Sequence, residues 1–137
     1  MDVTLLRCSF EQIIEREPDL AGRFYQILFQ RHPQTRALFR GDTRAQGKML
    51  AGALQAVIDH LEDAAWLVPT LEGLGARHAG YGITDEMYEW VGECLLAALA
   101  EVAGEDWSAS HILAWSEAYG FIADTMKAGA RRALAAA

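Results

Sequence analysis

Apolar residues recur every three or four positions through most of the chain, the spacing of a single helix face. The first such segment runs from about Thr4 to Arg16. A second opens at Glu17-Pro18-Asp19, whose carboxylates suit the positive end of a helix dipole, and ends near His32-Pro33. A short helical turn, Pro33 to Leu38, leads into Phe39 and the loop Arg40-Gly41-Asp42-Thr43. A long helix is then predicted from about Arg44 to Asp63, with Leu50, Ala53, Leu54, Val57, Ile58 and Leu61 as its buried stripe. Gln46 projects from the same face one turn earlier. The segment Trp66 to Ala79 carries Leu67, Leu71, Leu74 and His78 at intervals of four, three and four, so a histidine closes an apolar face before Gly80 and Gly82 stop the helix. Thr84 is the expected N-cap of a helix that reaches about Ala103 through Tyr88, Val91, Leu95, Leu96 and Leu99, and Gly104 ends it. Ser108 is expected to cap the last helix, with Ile112, Trp115, Tyr119, Ile122 and Met126 facing inward before an Ala-rich tail. Pro18, Pro33 and Pro69 fall between these segments or near their starts, where a missing N–H does least harm. No repeat or linker interrupts the pattern, so residues 1–137 are expected to form one domain.

Composition supports helices and little else. There are 24 Ala and 16 Leu against 18 Val, Ile and Thr together, and no Asn to build hairpin turns. The predicted class is all-α. Twelve Lys and Arg against 19 Asp and Glu give a net charge of −7, which argues against nucleic acid or an anionic membrane as partner. The uncharged run Trp107 to Ser116 has ten residues, about half of what a membrane-spanning helix needs. Arg7 follows Leu5 and Leu6 at once, so no signal-peptide core is expected and a cytoplasmic location is. Cys8 and Cys94 lack any CxxC spacing or nearby His pair, so neither a disulfide framework nor a zinc site is signalled, and both read as small buried residues.

Candidate chemistry narrows to one residue. Glu86, Glu89 and Glu93 along one helix, and Asp59, Glu62 and Asp63 at the end of another, read as solvated faces and not as paired acid–base carboxylates. No phosphate-binding glycine loop, HExxH or nucleophile elbow is present. His32 sits at a helix end, and His60 and His111 have surface or capping positions. His78 is different. A lone histidine on an apolar face is more often structural than a ligand, yet here it ends an all-helical stripe beside a Gly-rich corner, where it can reach a large planar cofactor held between helices. Haem is the natural candidate.

The segments "RFYQILF", "ALF", "GITDEMYEWVGECLLAAL" and "AWSEAYG", in this order and at these separations, resemble the globin domain of flavohaemoglobins and their single-domain bacterial relatives. The likeness covers nearly the whole chain. It implies a globin fold, a three-on-three helical sandwich around haem b, with His78 as the proximal iron ligand. Tyr25 and Gln46 match the distal tyrosine and glutamine, Phe39 the phenylalanine that packs on haem, Leu50 the distal leucine and Arg77 a basic residue near the propionates. Tyr88 matches the tyrosine behind the proximal histidine, and Leu74 and Val91 complete the implied haem contacts. Phe39 and Leu50, taken singly, are more often plain core, and Tyr25 alone reads as well as a buried structural tyrosine with one satisfied hydroxyl. Hydrogen bonds from Tyr25 and Gln46 are expected to favour oxygen over carbon monoxide and to slow its release.

The resemblance implies reversible and tight oxygen binding, with O2, NO and CO as ligands, and oxidation of nitric oxide to nitrate by the oxygenated form, with an external reductase needed for sustained turnover. Oxygen storage, delivery or sensing uses the same pocket, and a haem-free helical interaction module is the remaining alternative. The chain is a monomer or a homodimer on this reading. Two departures stand out. Arg132 aligns where the family carries a glutamate behind the proximal histidine, which implies a weaker electron push through Tyr88. The connection from Phe39 to Gln46 is also shorter than the family's.

Overall fold

The computed structural model describes residues 1–39 and 42–136. Six α-helices account for most of them: α1 (Val3–Arg16), α2 (Leu20–Arg31), α3 (Arg44–Asp59), α4 (Ala64–Gly80), α5 (Asp85–Ala103) and α6 (Ala109–Ala136). Short 3-10 segments lie at Pro33–Leu38 and Gly104–Asp106. No strand occurs among the described residues, so the class is all-α as the composition predicts. Arg40 and Gly41 of the predicted loop lie outside the described residues.

Aspartates start three of the helices. The side chains of Asp2, Asp19 and Asp63 accept the backbone N–H of Leu5, Gly22 and Trp66 at 3.1, 3.1 and 3.3 Å, satisfying donors that a helix start leaves open. Thr84 stands at the N-cap of α5 in extended backbone without a side-chain bond, and Ser108 Oγ accepts from the His111 N–H at 3.4 Å before α6. Gly82 and Gly104 follow the ends of α4 and α5 with φ of 81° and 59°, a conformation that costs side-chain-bearing residues energy.

The structure corrects several local expectations. The α3 helix stops at Asp59, not Asp63, and Ala53 lies outside its packed face. Pro69 lies inside α4 instead of marking its start. Both Pro69 and Ala65, the residue one turn back whose carbonyl loses a partner, are exposed, so water can take the place of the missing N–H. Ile112 is 50% exposed, against expectation, whereas Trp115 faces inward as predicted, together with Ala114 and Ala118. Cys8 is exposed, while Cys94 is fully buried.

Two apolar clusters hold the helices together. The larger joins Leu6, Phe10 and Ile13 of α1, Phe24 and Leu28 of α2, Leu95 and Leu99 of α5, and Trp115 of α6. The Trp115 indole N–H donates to buried Ser9 Oγ at 3.0 Å, so both polar groups enter the core paired. The smaller cluster joins Leu67 and Leu71 of α4 to Tyr88 of α5 and to Ala123 and Met126 of α6. Tyr119 packs against both and its hydroxyl donates to the Tyr88 carbonyl at 2.5 Å.

Glycines set how closely α4 and α6 approach. A Cβ on Gly75 would stand 1.9 Å from the Met126 carbonyl oxygen, and one on Gly129 would stand 2.1 Å from that of Glu72. Each helix therefore lays a bare backbone patch on the other's backbone. The α3 helix packs chiefly on α2, and α4 on α6, and among the described residues α3 meets α4 mainly where Val57 and His60 reach the start of α4.

Candidate haem site

His78 occupies the last turn of α4, half-buried, with its ring Nδ1 2.8 Å from the carbonyl oxygen of Leu74. A carbonyl can only accept, so Nδ1 carries the proton and Nε2 presents its lone pair away from the helix. That is the donor an iron requires, oriented by the bond its other nitrogen makes. His60 makes the same bond to Ala56 at 2.7 Å, so the geometry is a property of a histidine near a helix C-terminus. What distinguishes His78 is its surroundings: the His60 ring is stacked on Trp66 at 3.7 Å, whereas His78 has only an edge contact with Tyr81 at 6.5 Å. No carboxylate bonds to His78 among the described residues. Arg132, on the position where the resemblance expects a glutamate, pairs with Glu72 of α4.

Tyr25 lies on the inner face of α2, 7% exposed, with its ring 5.2 Å from Phe39 and 5.8 Å from Phe29. Its hydroxyl has no hydrogen-bond partner among the described residues. Burial pushes the phenol's pKa up, so the group stays a neutral donor. A cleft of about 500 Å³ between α2 and α3 is lined by Tyr25, Phe29, Gly47 and Ala51. Phe39, Leu50 and Val91 pack on the same apolar cluster as Tyr25, while Leu74 and Tyr88 belong to the other. Val57 of α3 reaches that second cluster, so α3 runs along both.

Gln46 is exposed in the first turn of α3, and Arg77 is exposed beside His78; neither has a hydrogen bond among the described residues. The structure thus brings Tyr25 together with Phe39, and sets His78 beside Leu74, but leaves Gln46 at the rim. The Tyr88 hydroxyl is buried without a hydrogen-bond partner among the described residues. Burial, and after it the charge of Asp85, raise its pKa.

These features fit haem. The inner faces of α3 and α4 present Leu50, Leu54, Val57 and Leu74, all partly exposed although apolar, beside a histidine with a directed lone pair. A planar apolar group would cover that surface. Sequence reasoning missed the glycines behind the site, Gly75 and Gly129, although glycine in a helix interior costs about 1 kcal/mol against alanine and so hints at close packing.

The family model for globins matches residues 22–126. The chain is 34% identical over 126 residues to a flavohemoprotein of Bacillus cereus, an alignment that covers 89% of this chain and 31% of the relative. It is 34% identical over 136 residues to one of Bordetella parapertussis, covering 97% of this chain and 34% of the relative. The chain therefore spans about a third of the length of these curated relatives. Among solved structures, the engineered carbene transferase RmaNOD of Rhodothermus marinus superposes with a TM-score of 0.85 at 30% identity, covering 98% of this chain and 94% of that one. A bacterial globin of Campylobacter jejuni gives 0.80 at 23% identity, covering 95% and 94%, and shares the fold. No helix among the described residues is long and apolar enough to cross a membrane. With the family model matched along most of its length and the helices superposing on bacterial globins, the chain belongs to the globin family.

Proposed function

We propose that this globin holds haem b between α3 and α4, binds oxygen reversibly and tightly, and uses that oxygen to oxidise nitric oxide to nitrate, with an external reductase returning the iron to the ferrous state for another turnover. The observation that carries the proposal is the His78 lone pair, left on Nε2 by the bond to the Leu74 carbonyl; the neutral Tyr25 hydroxyl, without a partner among the described residues, supports it, and the resemblance to flavohaemoglobin globin domains implies that the two act on opposite sides of the haem. Haem, when bound, would supply an iron that takes up diatomic gases, with oxygen as the oxidant of nitric oxide.

The residues divide the remaining work. His78 would hold the iron, and its Nδ1 proton, bonded to the neutral Leu74 carbonyl, leaves the imidazole a moderate donor. Phe39, Leu50, Leu74 and Val91 exclude water from the porphyrin faces, and Arg77 stands exposed where a propionate can meet it. The Tyr25 hydroxyl would donate a hydrogen bond to a gas held in the pocket. Gln46, at the start of α3, adds a second donor when it turns inward from the rim. Tyr88 backs the proximal side. Relationship to flavohemoproteins supports a reductase as the electron source and the cytoplasm as the location.

Mixing the oxygenated protein with nitric oxide tests the reading. The expected result is stoichiometric nitrate and ferric haem within the mixing time. An oxygenated form inert to nitric oxide, with fast oxygen release, would assign the pocket to storage or delivery; slow release without the chemistry would assign it to sensing. A protein without a Soret band after haem addition would leave a helical interaction module.

A further inference from the structure

The C-terminal end of α2 and the middle of α5 bring together three side chains of different donor chemistry. His32 Nε2 lies 3.2 Å from Glu93 Oε2, and the Cys94 thiol joins them in a group whose ligand atoms all lie within 4.8 Å of one another. Some 60 residues separate His32 from the other two, so no local spacing motif announces the group.

The histidine is held in place from several directions. Its N–H donates to the Leu28 carbonyl at 2.8 Å, and its carbonyl accepts from the N–H and hydroxyl of Thr35 at 3.0 and 2.7 Å. Its ring stacks on Trp90 with centroids 4.7 Å apart and planes 11° from parallel. Arg31 occupies the other carboxylate oxygen of Glu93 at 3.1 Å, which leaves Oε2 for the histidine side. Cys94 is fully buried, His32 partly and Glu93 exposed, so the thiol forms a floor and the carboxylate a rim through which an ion can enter.

We propose that His32, Glu93 and Cys94 bind one zinc-class divalent cation, with water as its fourth ligand. One nitrogen, one oxygen and one sulfur suit a borderline-soft, tetrahedral ion better than magnesium or calcium, which take oxygen ligands. The charges also balance: one thiolate and one carboxylate neutralise a divalent ion, and the histidine binds as the neutral ring. Burial pushes the Cys94 thiol pKa up, so the cation must displace its proton to solvent. The His32–Glu93 hydrogen bond gives way to a metal bond on each side. A bound ion would pin α2, which carries Tyr25, to α5.

The test uses the full haem-loaded chain and zinc chloride alone. Titration against a competing chelator should show one zinc per chain, with about one proton released per zinc. Zinc-edge X-ray absorption, which ignores the haem iron, should show one sulfur at about 2.3 Å with nitrogen and oxygen near 2.0–2.2 Å. Cys94→Ser should remove the sulfur and weaken binding at least tenfold. Glu93→Gln, an exposed change that leaves the core intact, should weaken it as well, and circular dichroism reports whether each variant is folded. No zinc uptake, a zinc shell without sulfur, or wild-type affinity in both variants would overturn the proposal.

Discussion

Gly75 lies against the backbone of Met126 so closely that a Cβ on the glycine would stand 1.9 Å from the methionine carbonyl oxygen. The contact sits three residues before His78 on α4, so it fixes how far the candidate ligand stands from α6. Gly75→Ala should force the helices apart and cost about 3 kcal/mol of stability. Gly73, with nothing within 4 Å of its Cβ position, is the control: Gly73→Ala should stabilise by about 0.5–1 kcal/mol. Urea unfolding of both variants checks the contrast, and equal midpoints would show that the seam yields.

His78→Ala should abolish stable haem retention. Because a ligand that binds only the folded state stabilises it by mass action, the same variant should lose the rise in melting temperature that haem confers on the wild-type chain. Soret absorbance after gel filtration and a thermal melt with and without haem are the readouts.

Tyr25→Phe removes the hydroxyl and leaves the ring contacts with Phe29 and Phe39 in place. A hydrogen bond to a partly charged ligand is worth about 1.5–3 kcal/mol, so oxygen release should accelerate about 10- to 100-fold, with a much smaller change for carbon monoxide. Stopped-flow displacement of each gas measures this. Gln46→Ala should have the smaller effect, since Gln46 stands exposed at the rim.

Stability should fall at both ends of the pH scale. Burial raises the phenol pKa values of Tyr25, Tyr88 and Tyr119. The unfolded chain therefore gives up these protons first, and stability present below about pH 10 is lost as pH rises through the shifted values. Phenolate absorbance should appear together with loss of helix. On the acid side, His32 and Arg23 hold the carboxyls of Glu93 and Glu101 below their usual range, so the folded state favours their ionised forms. That contribution is lost as pH falls below about 4, and it is small because both carboxylates face solvent. A melt series across pH, with Glu101→Gln as comparison, should show a neutral-pH difference that vanishes in acid.

The order and type of the helices were legible in the residues themselves, because a repeat of three and four apolar positions, an aspartate or serine before it and a glycine after it are local signals. His78 was legible for the same reason, as the last member of the Leu67-Leu71-Leu74 face. Other features depend on which helix lies opposite. Ile112 shares its helix with Trp115 but stays half exposed, and α3 turns only part of its apolar stripe toward α2. The close fit of Gly75 on Met126, the unpartnered hydroxyl of Tyr25 and the meeting of His32 with Glu93 and Cys94 arise between residues far apart in the chain. Local periodicity determines which side of a helix is apolar; only packing between helices decides which of those residues lose water, which polar groups lose partners and which donors converge.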